Sequence, residues 1–214
     1  MIKIITIERE YGCGGGEIAQ RLAQRLHWRL WDQELTEEIA RLANCPKAEV
    51  ECREEKNDPL YYRLFKSFLR GSYEGSINAH KLQLVDSECI VKFTERVVMQ
   101  VAQSGNCVIV GRGSQHFLRD RQDTLRVFLY APTEEKVRRL KARGKSEHEA
   151  EELVDTIDRE RGDFIAKYFG VEWPNLPLYH LMVNTSVGDA AVVETITHLK
   201  NTCDAKPEPV AAWP

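Results

Sequence analysis

The stretch Ile4-Ile5-Thr6-Ile7-Glu8-Arg9-Glu10-Tyr11-Gly12-Cys13-Gly14-Gly15-Gly16-Glu17-Ile18-Ala19 decides the fold. An apolar run of β type ends in a glycine cluster, and the glycines lead into a helical pattern. That is the order in which a phosphate-binding loop is built. The strand aims the loop, the glycines let backbone N–H groups close on an anion, and the helix offers its positive N-terminal end. Four glycines in the five positions 12–16 exceed what a tight turn needs, since each costs backbone entropy on folding. Two side chains of such a loop are missing. In the pattern G-x-x-x-x-G-K-[ST], the Lys steadies the outer phosphates and the hydroxyl holds Mg²⁺. With Gly14 as the second glycine, Arg9 takes the first glycine's place, Gly15 the Lys place and Gly16 the Ser/Thr place. Gly12, Cys13, Gly14, Gly15, Gly16 and Glu17 are the phosphate-binding candidates. Glu17 complements the helix dipole, with a Mg²⁺ role as the alternative.

The rest of the chain supplies the frame. Residues 15–27 read as an amphipathic helix, with Ile18, Leu22 and Leu26 spaced by four. Arg29-Leu30-Trp31 reads as a short strand ending at Asp32. Residues 33–43 read as a helix with Leu35, Ile39 and Leu42 on one face. Residues 45–87 change character to a charged, glycine-punctuated segment, an inserted helical lobe. The pattern predicts a helix over 88–104, a buried strand at Cys107-Val108-Ile109-Val110-Gly111 and another over 125–131. Thr133 is expected to cap a helix that ends at Gly144. A charged helical stretch follows over 146–168. The last strand is placed at 179–185, the last helix at 189–200 and a disordered tail at 204–214. Strands alternating with helices imply a parallel sheet covered on both faces. Ligands then sit beyond the carboxyl ends of the strands. That rule selects the loop at 8–16, Asp32, the turn Gly111-Arg112-Gly113 and Asn184-Thr185-Ser186.

Charge and composition narrow the function. The 214 residues are 43% apolar, enough for one packed domain, and the formal net charge of −3 argues against a general nucleic-acid binder. An anion site must therefore be a local cluster of Arg. No apolar run approaches the roughly 20 residues needed to span a bilayer. Six cysteines lie scattered without C-x-x-C pairs, and the N-terminus reads as a strand rather than a signal peptide. The expectation is a cytoplasmic protein with reduced thiols and no membrane partner. Arg112, flanked by glycines at a strand end, suits bidentate phosphate recognition. Arg139, Arg159 and Arg161 are the candidates for triphosphate contacts from a mobile lid. Asp32 either orients a substrate hydroxyl or Mg²⁺-bound water, or caps the following helix.

Taken together, these segments resemble the cytidylate-kinase-like family of P-loop nucleoside monophosphate kinases. The resemblance runs to about residue 200. It rests on Arg9-Glu10-Tyr11-Gly12-Cys13-Gly14-Gly15-Gly16-Glu17-Ile18, Trp31-Asp32-Gln33-Glu34-Leu35, Val108-Ile109-Val110-Gly111-Arg112-Gly113, Arg126-Val127-Phe128-Leu129-Tyr130-Ala131-Pro132, Asp158-Arg159-Glu160-Arg161 and Tyr179 to Ser186. It implies an α/β three-layer sandwich of the P-loop NTPase type. A five-stranded parallel sheet would carry an inserted helical NMP-binding lobe at 45–87 and a helical lid at 144–170, all in one domain over 1–203. It also implies ATP and Mg²⁺ as cofactors and a small nucleotide as acceptor. Arg9, Arg112, Arg159 and Arg161 would then be catalytic, and Asp32, Gly111 and Arg112 would bind the acceptor. Three places depart from authentic cytidylate kinases. Gly15 stands where their loop has Lys, Gly113 where their strand-three motif has Asp, and Glu37-Glu38 where a Tyr-Arg pair grips the monophosphate. A nucleotide sensor without turnover, or a kinase for a different small acceptor, are the alternatives.

Overall fold

The computed structural model describes residues 1–43 and 87–205. The inserted lobe at 45–87, apart from Ser87, and the tail from residue 206 onward lie outside the described residues. Five strands form the sheet: β1 (Ile4–Arg9), β2 (Arg29–Trp31), β3 (Cys107–Val110), β4 (Thr124–Tyr130) and β5 (Leu181–Asn184). All pair in parallel, in the order β2-β3-β1-β4-β5. β1 is central, and every one of its residues is buried. Ile4 aligns with Cys107 on one side and Thr124 on the other, so β1 and β4 reach the loop end together at Arg9 and Leu129.

Side-chain alternation along the strands builds two cores, one on each face of the sheet. Ile5, Ile7, Val108, Val110 and Val127 meet Ile18, Ala19 and Leu22 of α1 (Gly15–Leu26) and Val192 and Ile196 of the C-terminal helix. Ile4 and Ile109 meet the helices of the other face. These are α2 (Gln33–Ala43) with Leu35 and Ile39, α3 (Ser87–Ser104) with Phe93, Val97 and Val101, and Phe164 and Ile165 of a long helix described below. The architecture is the three-layer α/β sandwich with a five-stranded parallel sheet that the alternation predicts.

The second half of the chain holds the elements that reach the loop. After β3 comes the one-turn helix α4 (Ser114–Phe117), and after β4 come α5 (Thr133–Ala142) and α6 (Glu147–Phe169). Pro132, not Thr133, is the N-cap of α5, and no side chain caps that helix. Helix α6 does have a cap. The Ser146 hydroxyl accepts from the Glu149 N–H at 3.2 Å, an Ser-x-x-Glu signal that lies inside the charged run. Tyr11 packs with Val137 and Leu140 of α5 and Ala150, Val154 and Ile157 of α6, so the α5–α6 hairpin rests on the loop.

Near the C-terminal end, two elements differ from the sequence expectation. The last strand is Leu181–Asn184, because Tyr179 and His180 turn inward before it and Thr185–Val187 is a 3-10 turn after it. The last helix, α7 (Asp189–Ala205), runs past residue 200, so Asp204 is helical rather than part of a tail. Its carboxylate accepts from the Ile2 N–H at 2.5 Å and from Lys200 at 2.7 Å, which ties the helix end to the chain start. Among the described residues, no helix is long and apolar enough to cross a membrane.

Candidate functional site

The loop at 10–14 joins the end of β1 to α1 and carries the glycines for reasons that differ along its length. Gly14 is the N-cap of α1 and holds a left-handed φ of 84°, which a side chain resists. Gly15 has no such φ. A Cβ there would lie 2.8 Å from Arg9 Cγ and 3.0 Å from Arg9 Cβ, so the absent side chain is the room Arg9 occupies. The Arg9 side chain thus crosses the place of the usual Lys, and its guanidinium continues until it touches Gly111 at the end of β3.

Arg9 is buried, 4% exposed, and its neighbours only partly satisfy it. Nη1 lies 3.8 Å from the Glu8 carboxylate, and Nη2 makes no hydrogen bond. Burial, with Arg161 nearby, pulls its pKa down to about 10, still far above neutrality. A buried cation with a vacant donor is costly. Arg9 lines a narrow cleft with Glu10, Tyr11, Gly12, Gly14, Gly15, Gly16, Glu17, Arg143 and Arg161. The cleft has about 20 Å³ of free volume, enough for a water-sized group.

Helix α6 grips the loop from outside. Arg161 Nη1 donates to the Arg9 carbonyl at 2.9 Å and to Asp158 at 3.2 Å. Asp158 also accepts from the Tyr11 N–H at 2.7 Å and from Lys136 Nζ at 3.2 Å. Lys136 in turn sits 2.7 Å from Glu10, whose carboxylate accepts from the Ala131 N–H. Burial raises the Asp158 pKa against the pull of Arg161 and Lys136. Sequence reading passed over Asp158, Lys136 and Glu10 as site members. The i,i+3 spacing of Asp158 and Arg161 was the available signal, since it places both on one helical face.

The other expected residues divide. Arg112 and Asp32 come together, but as a sealed pair: Arg112 Nη1 is 3.4 Å from the Asp32 carboxylate and the Arg112 side chain is fully buried. Arg112 lies between Gly111 and Gly113, and all three hold positive φ, 65°, 57° and 64°. A Cβ at Gly113 would lie 2.7 Å from Phe169 Cζ, so the Gly that replaces an Asp admits the end of α6. Arg139 does not line the cleft. It packs behind Gly14 and its guanidinium is taken up by Glu135 at 2.8 Å and Asp189 at 2.9 Å. Arg159 is exposed on α6 and is not among the cleft residues. Cys13 is not among the cleft residues either. Its thiol faces the core, its carbonyl accepts from Thr185 Oγ1 at 2.7 Å, and burial pushes its pKa up to about 12.

One cleft cation was missed. Arg143, the C-cap of α5, lines the cleft and its guanidinium bonds the Glu17 carboxylate. Beside β2 lies a second, wider hollow of about 420 Å³, lined by Gln20, Leu30, Asp32, Gln33, Glu34 and Glu37. Among the described residues, no group of three His, Cys, Asp or Glu could hold a metal ion.

Comparison with known proteins places this geometry. The structure of an uncharacterized protein from Eubacterium ventriosum matches with a TM-score of 0.68 at 20% identity, covering 94% of this chain and 99% of that one. Shikimate kinase from Acinetobacter baumannii, solved with shikimate, matches with a TM-score of 0.53 at 16% identity, covering 96% and 97%. These likenesses show the P-loop NTPase fold. In sequence, a cytidylate kinase of Methanosarcina mazei is 27% identical over 82 residues, which are 37% of this chain and 46% of that protein. The chain thus matches about half the length of that relative. The model of the cytidylate kinase-like family matches residues 4–187, the span that holds the loop, the sheet and α6. The chain belongs to the cytidylate kinase-like family.

Proposed function

We propose that the protein is an ATP-dependent phosphotransferase of the nucleoside monophosphate kinase type in which Arg9 replaces the loop Lys. The observation that carries this reading is the exchange of positions 9 and 15. The usual loop has Gly then Lys; here it has Arg then Gly, and the Arg side chain lies against the Gly. The positive charge stays at the loop, on a buried guanidinium whose Nη2 makes no hydrogen bond within the protein. Gly12 and the α1 N-terminus supply the backbone and dipole part of the cradle.

In the reaction, an acceptor oxygen forms a bond to the γ-phosphorus of ATP while the β–γ bridging bond breaks, and ADP leaves with the bond's electrons. The acceptor proton goes to solvent or to a carboxylate at the sheet end. Arg9 and Arg161 would stabilise the charge spread over the transferring phosphoryl group. Arg112 and Asp32 would form the wall of the acceptor site, and α6 would act as the lid. Mg²⁺, when bound with ATP, supplies neutralisation of phosphate charge. Glu17 is the cleft carboxylate that fits it, since Mg²⁺ takes one or two carboxylates plus phosphate oxygens.

A second reading, nucleotide binding without turnover, draws on Asp158, which holds the Tyr11 N–H and thereby a donor of the loop. Purified protein with Mg·ATP and a panel of ribo- and deoxyribonucleoside monophosphates and small hydroxylic acceptors separates the two. ADP release with one acceptor class supports transfer. ATP binding with no ADP from any acceptor overturns it in favour of the second reading.

A further inference from the structure

Glu17 and Arg143 form an ion pair inside the cleft, and the pair is badly placed for a merely structural one. It joins positions 126 apart at the mouth of the loop, and both partners line the space a phosphate would fill. The Glu17 and Arg143 side chains are 38% and 36% exposed, more than the buried Arg161 and the partly buried Asp158 beside them. An exposed pair of this kind is worth little and exchanges readily. Arg143 is followed by Gly144, which holds φ 91° with nothing within 4 Å of a Cβ placed there, so the bend before α6 has room to move.

The cleft carries an independent sign of an anion. Arg9 is more than nine-tenths buried, lines the same space and leaves Nη2 without a partner. The pair also stands in the cleft itself, so phosphate entering there meets the Arg143 guanidinium and the Glu17 carboxylate together.

We infer that the Glu17–Arg143 pair is an exchange gate: nucleotide phosphate takes Arg143 from Glu17, and the released carboxylate takes the divalent cation that arrives with the nucleotide. This rests on the reading of the loop as a phosphate site. The electrostatics require both halves. Once Arg143 turns to phosphate, Glu17 is left beside like charge, which disfavours the complex unless a cation enters between them. Mg²⁺ fills that place with oxygen ligands from both sides. Since no described cluster holds a metal alone, the cation binds only with the nucleotide. In an ordinary loop the metal leans on a Ser or Thr next to the Lys. Here that place is Gly16, and the next residue is Glu17.

The test is calorimetric titration of the full chain with ATP, in EDTA and in excess Mg²⁺. It uses wild type, Glu17→Gln and Arg143→Gln, each checked for an unchanged thermal midpoint. Wild type should bind ATP more tightly with Mg²⁺. Glu17→Gln should bind metal-free ATP about fivefold more tightly than wild type, the weight of one partly exposed charge, and gain nothing from Mg²⁺. Arg143→Gln should bind metal-free ATP about fivefold more weakly and keep the Mg²⁺ gain. A Glu17→Gln protein with the wild-type Mg²⁺ gain overturns the gate. So does an Arg143→Gln protein with unchanged metal-free affinity. Wild type that binds ATP in neither condition overturns the phosphate reading of the loop itself, and the gate with it.

Discussion

Of two neighbouring strands, β1 ends in Arg9 and β3 is followed by Arg112, each beside glycines, and the two arginines meet opposite conditions. Arg9 and Arg112 are both buried, 4% and 2% exposed, and their fields oppose each other's charge. Arg112 is closed off. It pairs with Asp32 and also donates to backbone carbonyls of Val110 and Asp32. Arg9 has a carboxylate only at 3.8 Å and a nitrogen with no acceptor, and it faces the cleft. The lesson is that residue type and strand-end position do not make a ligand site. What separates the two is the setting: one guanidinium is held against a carboxylate and two backbone carbonyls, and the other belongs to a residue that lines the cleft.

The comparison breaks first at the closed arginine. Arg112→Ala removes one half of a buried pair and leaves the Asp32 carboxylate without its guanidinium, a loss of about 3–5 kcal/mol. Urea unfolding should show this as a lower midpoint with an unchanged slope. An Arg112→Ala protein as stable as wild type would show that Arg112 is not the sealed half of the comparison.

Next in size is an acid sensitivity of the same region. His116, in α4 just after the Arg112 turn, stacks on Phe169 with ring centres 4.3 Å apart, and burial pulls its pKa from 6.5 to about 4. Between those values the unfolded chain binds a proton that the folded chain refuses. Stability from this group is therefore full above about pH 6.5, drains as the pH falls, and levels off below about 4. The total is on the order of 3 kcal/mol. His180, also lowered to about 4, adds a loss of the same sign. Unfolding curves from pH 7 to 4 should flatten in His116→Phe. Equal acid slopes in the two proteins would mean that His116 titrates normally.

A smaller effect belongs to the glycine that follows Arg112. Gly113→Asp rebuilds the Gly-Arg-Asp motif of authentic cytidylate kinases, but it puts a Cβ against Phe169 at a φ of 64°. We expect a loss of about 2 kcal/mol, the weight of one strained backbone position with a displaced ring. A fully stable Gly113→Asp protein would show that Phe169 moves aside freely and that α6 is loosely seated.

These effects also show what was open to sequence reading. The loop, the five strands and most helices were legible, because an apolar run ending in glycines and a four-residue apolar spacing are local signals. The residues that close the site were not. Asp158 and the Tyr11 N–H are 147 positions apart, and Arg143 and Glu17 are 126 apart. Their meeting depends on the seating of α5 and α6, which no periodicity encodes. Arg139 looked like a phosphate contact, yet Glu135 on its own helix and Asp189 across the fold hold it. Arg159 shared a motif with Arg161, yet two positions along a helix point in different directions. The motif named the segment, and the helical turn chose the residue.

The central claim, that Arg9 carries the charge that Lys carries in an ordinary loop, is tested most directly by moving that charge back. ATP affinity would be measured for wild type, Arg9→Gly, Gly15→Lys and the double variant, all in Mg²⁺. We expect Arg9→Gly to lose at least about tenfold, since a charged contact to phosphate is worth about 1.5–3 kcal/mol. Gly15→Lys alone should also bind poorly, because its Cβ collides with the Arg9 stem. The double variant, with Gly at 9 and Lys at 15, should recover most of the wild-type affinity, a coupling that only a shared place produces. A double variant no better than Arg9→Gly would contradict the account, because positions 9 and 15 would then not be exchanging one charge at one site.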